Sequence, residues 1–423
     1  SSSFAADTLA DAFKNGKVSG ELKAWYFDKD NGSTGNTSIM NAGVTLGYVT
    51  DTLYGFSLGT TVQSNYAPFA SESAKGAYQD HMYASGATLS EAYLGYTLGK
   101  TTVKVGRQFI ATPLVSGSGS RFFKESFEGV TLVNTDLPGT TLVAGYVQKF
   151  QGRTSHIASS TIGDAPNFEK IAAFTGGVSS AAFDDAYTVL AINKSIPNLT
   201  LTAQYALVND VATLANYVPS TTAVGDVDVY YTEANYVLPL ANFKLGFDVN
   251  FRGSQADSSL SNDLDGTYTA GRISIKDLAG FGASFAMGTT SNSDSVIAGM
   301  GNGPTSYTST LINGTSTRMT PNTDSYLFAA TYDFATVGIT GLTALAQYGW
   351  TSQGSFSQAG KPKAHSDITN FAAGVTYAVP YLKGLTTSLE YENARTEAYH
   401  ETTGAKTSDK TADELWFKAG YKF

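Results

Sequence analysis

Apolar residues recur at every second position through most of the chain. From Phe243 to Arg252 the order is Phe-Lys-Leu-Gly-Phe-Asp-Val-Asn-Phe-Arg, with each odd position apolar and each even one polar or glycine. A period of two sends the two sets to opposite faces of a strand. Leu199–Leu207 and Val18–Tyr26 repeat the pattern. Read this way, the chain predicts strands near 16–28, 39–50, 52–63, 89–98, 101–109, 126–135, 140–150, 184–194, 198–208, 226–237, 242–252, 265–276, 280–288, 325–333, 341–351, 367–379, 384–395 and 412–423. That makes about 18 strands, each near the roughly 9–11 residues that cross a bilayer when tilted.

The connections sort by length. Every second one is short, as at Thr50-Asp51, Gly99-Lys100, 136–139, 195–197, 238–241, 277–279 and 379–383. The alternate ones are long and polar, as at 64–88, 110–125, 151–183, 289–324 and 396–411. Nine long and eight short connections join 18 such strands. Short turns on one side of a membrane and long loops on the other are the habit of a transmembrane barrel. The fold class is therefore all-β: a transmembrane antiparallel up-and-down β-barrel with long extracellular loops, short periplasmic turns and both termini in the periplasm. The competing reading is a large soluble β protein with an aromatic core. A closed sheet, which leaves no edge in lipid, favours the barrel.

Composition agrees. Charged residues are 15% of the chain, against roughly 25% in an ordinary soluble protein. Yet no run approaches the roughly 20 apolar residues of a membrane helix. Residues 1–423 read as one barrel domain, with 1–15 a short periplasmic segment in which Phe4, Leu9, Ala10 and Phe13 suggest a short helix at the periplasmic mouth. A start at Ser1-Ser2-Ser3 suggests processing. Aromatics near strand ends (Tyr26, Phe27, Tyr48, Tyr54, Phe56, Phe150, Tyr236, Phe251, Tyr332, Tyr348, Trp350, Tyr377 and Tyr391) suit the headgroup level. The last strand alternates Leu415, Phe417, Ala419, Tyr421 and Phe423, similar to the signal read by the outer-membrane barrel assembly machinery. A net charge of −9 argues against nucleic acid.

Several motifs resemble the OprD-type porins, substrate-selective channels of the Gram-negative outer membrane. The segment Leu22-Lys23-Ala24-Trp25-Tyr26-Phe27-Asp28-Lys29-Asp30 resembles the family's opening strand, with Lys23 and Lys29 at its basic positions. Leu89–Phe150 is similar in order and spacing: Lys104-Val105-Gly106, Pro113-Leu114, Ser120-Arg121, Phe127-Glu128-Gly129, then a Gly-Thr-Thr-Leu strand leading to Ala144-Gly145. The terminal Phe423 agrees. The resemblance implies an 18-stranded porin whose third and seventh loops fold inward. It also implies passive diffusion of small anionic or zwitterionic solutes, such as small carboxylates and amino acids. The acidic balance and lysines in place of arginines depart from the pattern. A surface structural or adhesive barrel whose loops bind an external partner is the alternative.

The polar face of each strand should line the lumen, where charge is cheap and can be chosen for selectivity. This set includes Lys23, Lys104, Lys244, Asp248, Arg252, Arg272, Glu390 and Lys418, with Glu91, Gln204 and Glu392 beside them. Loop 110–125 opens on the apolar Ile110–Val115 and continues through a Ser/Gly run to Arg121 and Lys124. Folded into the pore, it would bury its apolar part on the wall and bring Arg121 and Lys124 to a constriction. Arg107 and Glu128 would complete that site, Arg107 through a bulge or a position above the apolar band. The competing reading is a surface loop with Arg121 paired to a carboxylate. Loop 289–324 can fold inward or form a lid, and 168–174 suggests helical turns on the rim.

No catalytic or metal site stands out. His81, His156, His365 and His400 lie in separate predicted loops, and there is no cysteine. Asp28–Gly32 superficially resembles a calcium loop but lacks the distal glutamate, so a tight turn is favoured. The expected partners are the bilayer, lipopolysaccharide, small solutes and the assembly machinery, with no cofactor; a trimer and a monomer both remain open.

Overall fold

A computed structural model describes residues 6–32, 35–312, 314 and 316–423. Its alternating segments pair in chain order, each antiparallel to the next. The barrel strands are Lys17–Asp30, Asn36–Val49, Phe56–Asn65, Ala84–Leu98, Thr101–Gln108, Ser126–Asn134, Thr140–Gln151, Ala186–Asn193, Leu199–Ala215, Val218–Pro239, Lys244–Ala256, Thr267–Leu278, Phe281–Thr290, Thr323–Asp333, Leu342–Gln353, His365–Ala378, Leu385–Tyr399 and Lys406–Lys422. The closed antiparallel barrel has 18 strands, each overlapping a segment the alternation marks out. The first and last strands close it, with Leu22 opposite Tyr421 and Asp30 opposite Asp413.

Phe423 finishes the seam. Its backbone exchanges bonds of 3.0 and 3.1 Å with Gly20, and its ring lies over that glycine. A Cβ at Gly20 would meet the ring at 2.5 Å, which explains the absence of a side chain there.

The outward set is apolar and exposed, as at Leu46, Leu94, Val105, Val189, Ile273 and Leu389. No helix among the described residues is long and apolar enough to cross a membrane; the strands do so. Phe27 and Phe150 depart from the expected headgroup belt. Both turn inward and are buried, Phe27 stacked on Trp416 at 4.3 Å and Phe150 beside Phe127 at 5.3 Å. For Phe27 the reason lies in the alternation itself, since it shares the odd, inward set with Lys23 and Trp25.

Three expected loops are partly strand. The connection after Val208 is a long hairpin that turns at Asn216 and Tyr217, both at positive φ. Such a pair matches the twist of a two-residue hairpin. The ladder likewise runs to Tyr399 and resumes at Lys406. Within 168–174 there is no helical turn. Ile171–Thr175 is a strand, paired with Ser180–Ala182 on one side and Gly299-Met300 on the other. Its residues 172–175 are all buried, so burial between partners rather than an amphipathic face decides its conformation.

The extracellular half of the lumen therefore holds an ordinary hydrophobic core. Leu114, Val115, Phe127, Phe150, Phe174, Ile297 and Met300 pack there with inward wall residues such as Val229 and Ala206. A second cluster joins Phe27, Trp416, Phe122 and Met82, with Trp25 and Ile312 against it.

Candidate functional site

Loop 109–125 crosses into the lumen. Its apolar part is buried, with Leu114 and Val115 at 0% and 1% exposure. The inward Gln204 receives it: its Oε1 accepts from the Leu114 N–H at 2.9 Å and its Nε2 donates to the Thr112 hydroxyl at 2.8 Å. The far end is clamped by two buried glutamines. Gln63 accepts from the Lys124 N–H at 2.9 Å, and Gln63 and Gln151 both donate to the Lys124 carbonyl. Register shifts beside Ser90 and near Gln148 interrupt the ladders at this level. Such bulges re-aim side chains; here Ser90 joins Gln63 to Gln151.

Loop 291–322 also lies inside, a choice the sequence leaves open. Met300 pairs with the first loop, its N–H donating to the Leu114 carbonyl at 2.8 Å and its carbonyl accepting from Ser116 at 3.0 Å. Two inward wall residues hold the rest. Arg252, 2% exposed, donates to the carbonyls of Ala298 at 3.0 Å and Thr305 at 2.9 Å. Glu392, 1% exposed, accepts from the Thr310 hydroxyl at 2.7 Å and the Ile312 N–H at 2.8 Å. Between these anchors Tyr307 donates to Glu233 and lies 4.5 Å from the Arg272 guanidinium.

Glu125 joins the two loops. It is fully buried and both its oxygens are used. Oε2 accepts from the N–H groups of Ser118 and Asn302 at 2.9 Å each; Oε1 accepts from the Asn302 amide at 2.5 Å and faces the Arg153 Nε at 3.1 Å. Neither Arg153 nor Asn302 carries a sequence signal for this role.

At the tip of the first loop, Arg121 sits 4.5 Å from the Trp416 ring, and the Lys418 ammonium lies 4.5 Å from the same ring. Lys23 lies beside them, 4.5 Å from the Phe122 ring, and donates to the Phe122 carbonyl. Cations desolvated against aromatic faces gain about 2 kcal/mol. Lys418 is paired with Glu390 at 3.1 Å. Arg121 has no carboxylate within ion-pair distance among the described residues, and its Nε is buried without a hydrogen-bond partner there. Burial, then the neighbouring Arg153, pushes its guanidinium down to about 9, still protonated at neutral pH.

The other expected site residues lie apart from this corner. Arg107 pairs with Glu128 directly across the ladder at 3.0 Å, and Lys149 approaches the same carboxylate at 3.7 Å. Lys124 is 4.2 Å from the Phe109 ring, and burial lowers its pKa. Lys104 lies 4.4 Å from the Tyr93 ring, Arg272 pairs with Asp248 at 2.8 Å, and Lys244 pairs with Asp277 at 2.8 Å. Below the loops is a space of about 760 Å³ lined by residues including Arg272, Ser274, Thr331, Thr376 and Glu390.

His81 sits in the loop beside this corner. Burial, then the fields of Arg121, Arg153 and Lys29, lowers its imidazole from 6.5 to about 3. The native form thus resists a proton that the unfolded form accepts. The stability this gives is complete above pH 6.5 and declines as pH falls toward 3. Limited proteolysis within 66–83 should accelerate across that window, and markedly less in His81→Gln, which cannot take the proton.

A family model described as outer membrane porin, OprD family, matches residues 11–423. The chain is an OprD-family outer membrane porin. Solved porins share the architecture. OccK9 (OpdG) of Pseudomonas aeruginosa superposes with a TM-score of 0.75 at 17% identity, covering 97% of this chain and all of that one at 100%. OccK8 (OprE) of the same organism gives 0.74 at 16%, with coverage of 98% and 99%. A BenF-like porin from Pseudomonas fluorescens Pf-5 gives 0.74 at 15%, with 97% and 99%. No curated protein matches the chain. The porin is thus a diffusion channel for small solutes in the outer membrane of a Gram-negative bacterium, and not an enzyme.

Proposed function

We propose that this porin passes small anionic or zwitterionic solutes, such as small carboxylates and amino acids, through a constriction formed where loops 109–125 and 291–322 meet. The observation that carries this reading is Arg121, a half-buried guanidinium without a carboxylate partner among the described residues, beside Lys418 and Lys23. An arginine fork matches a carboxylate in two bonds. In a narrow, low-dielectric passage such a charge concentrates anions by Coulomb focusing. Lys124 supplies a second positive charge on the same loop. Arg107 and Glu128, bonded to each other on the outward face that Val105 shares, are not part of the constriction. The alternating C-terminal strand is the segment presented to the assembly machinery.

Arg121 gives the test. In a planar bilayer under a salt gradient, Arg121→Ala should shift the reversal potential toward cations, and Arg121→Lys should restore most of it. An unchanged reversal potential in Arg121→Ala would remove this residue from the selectivity site.

A further inference from the structure

The N-terminal helix is not at the mouth of the pore. Leu9–Lys14 is a single short helix, capped by the Thr8 hydroxyl, which accepts from the Asp11 N–H at 3.1 Å. Phe4 lies outside the described residues. Two backbone bonds of 2.9 Å tie the segment to the periplasmic turn after the second strand: Ala6 N–H to the Thr52 carbonyl, and Asp51 N–H to the Ala12 carbonyl.

Its side-chain contact is with the outside of the barrel. Phe13 stacks on Tyr48, ring centroids 6.4 Å apart and planes within 15°. The Tyr48 hydroxyl donates to the Phe13 carbonyl. Tyr48 belongs to the outward set of its strand with Val44 and Leu46, both exposed, whereas Asn41 of the opposite set is fully buried. The chain then passes over the Tyr48 hydroxyl at Gly16, where a Cβ would meet that oxygen at 2.1 Å. A side chain at this position would lift the segment off the wall.

The helix keeps an apolar edge free. Ala12 faces the barrel and is buried, whereas Leu9 and Phe13, one turn apart, are 61% and 47% exposed. Val18, opposite Tyr48 in the ladder, is 61% exposed and extends the same surface. Lys14, on the opposite edge of the helix, is exposed to solvent. Apolar residues on one edge with a charged residue on the other are the pattern of a segment lying in a membrane interface.

We infer that this helix is an interfacial anchor, with Leu9 and Phe13 inserted among the phospholipids of the periplasmic leaflet. The occupant follows from continuity. The apolar edge runs without interruption into the lipid-facing wall through Tyr48 and Val18. Its depth would be on the order of 5–10 Å into the headgroup and acyl boundary.

The chain has no cysteine, so one can be placed cleanly. Leu9→Cys leaves the Phe13–Tyr48 stack intact; Lys14→Cys reports the opposite edge, and Leu46→Cys the wall. Each folded porin carries an environment-sensitive fluorophore in phosphatidylethanolamine/phosphatidylglycerol vesicles, with a parallel set containing lipids brominated near the headgroup end of the chains. The Leu9 label should be quenched by brominated lipid, like the Leu46 label, and shielded from aqueous iodide. The Lys14 label should show the reverse. Iodide quenching of Leu9 equal to that of Lys14 would overturn the inference. So would Leu9 self-quenching that rises with protein density and is insensitive to brominated lipid, which would assign the edge to a second copy.

Discussion

Glu125→Ala is expected to release the two inner loops from each other and raise the single-channel conductance. The carboxylate is fully buried; its two oxygens accept from the N–H groups of Ser118 and Asn302 and from the Asn302 amide, and it forms an ion pair with the Arg153 guanidinium. Truncation leaves all of these donors without their acceptor, and a guanidinium that is only 14% exposed without its counter-charge. Breaking a buried charge pair from one side costs about 3–5 kcal/mol. At about 1.4 kcal/mol per tenfold, that shifts the docked-to-released ratio by two orders of magnitude or more. The barrel itself should still form, because its ladder does not use Glu125. Glu125→Gln should fall close to alanine rather than to wild-type. It offers one acceptor oxygen where two are needed, and its amide points a donor at donors. Conductance and open-channel noise in planar bilayers check both variants. Wild-type values in Glu125→Ala would mean the loops hold their places without this carboxylate.

Arg252→Ala should give the second large effect, confined to one loop. The side chain binds the carbonyls of Ala298 and Thr305 from a wall position that is almost completely buried. Hydrogen bonds from a charged group are worth about 1.5–3 kcal/mol each, and a buried acceptor left bare adds its desolvation. The segment 298–305 should lose its seat, while loop 109–125, held separately by Gln204, Gln63 and Gln151, keeps its own. Faster amide hydrogen exchange in 298–305 and at Ser116, whose N–H bonds the Met300 carbonyl, without a comparable change in 112–115, is the expected pattern. Fast exchange in both segments would show that they dock as one unit.

These two residues mark how far the sequence could be read. The strands were legible because their alternation is local and lipid allows little deviation from it. Arg252 and Glu392 could be assigned to the lumen for the same reason. Their partners could not, because those are backbone and hydroxyl groups of a loop some 46 and 80 residues away along the chain. Gln204 could be put on the right face, but nothing near it announces Leu114. Arg153 and Asn302 sit in polar stretches that read as any surface loop. Phe27 illustrates the opposite case. Its parity with Lys23 already pointed inward, and a general preference of aromatics for the headgroup level overrode a more specific local signal. Loop 109–125 was readable because six residues, Ile110–Val115, are too apolar for a solvated connection. Loop 291–322 carries a shorter apolar run, Val296–Met300, which is buried in the core, but amid so much Gly, Ser, Thr and Asn that the run does not by itself choose between a docked loop and a lid.

Single-channel recording of the purified, folded chain in a planar bilayer tests the central claim most directly. A porin narrowed by two docked inner loops predicts discrete current steps of small conductance that grow when Glu125 is replaced by alanine. A folded barrel that inserts and passes no current, in both the wild-type and the Glu125→Ala form, would contradict the account.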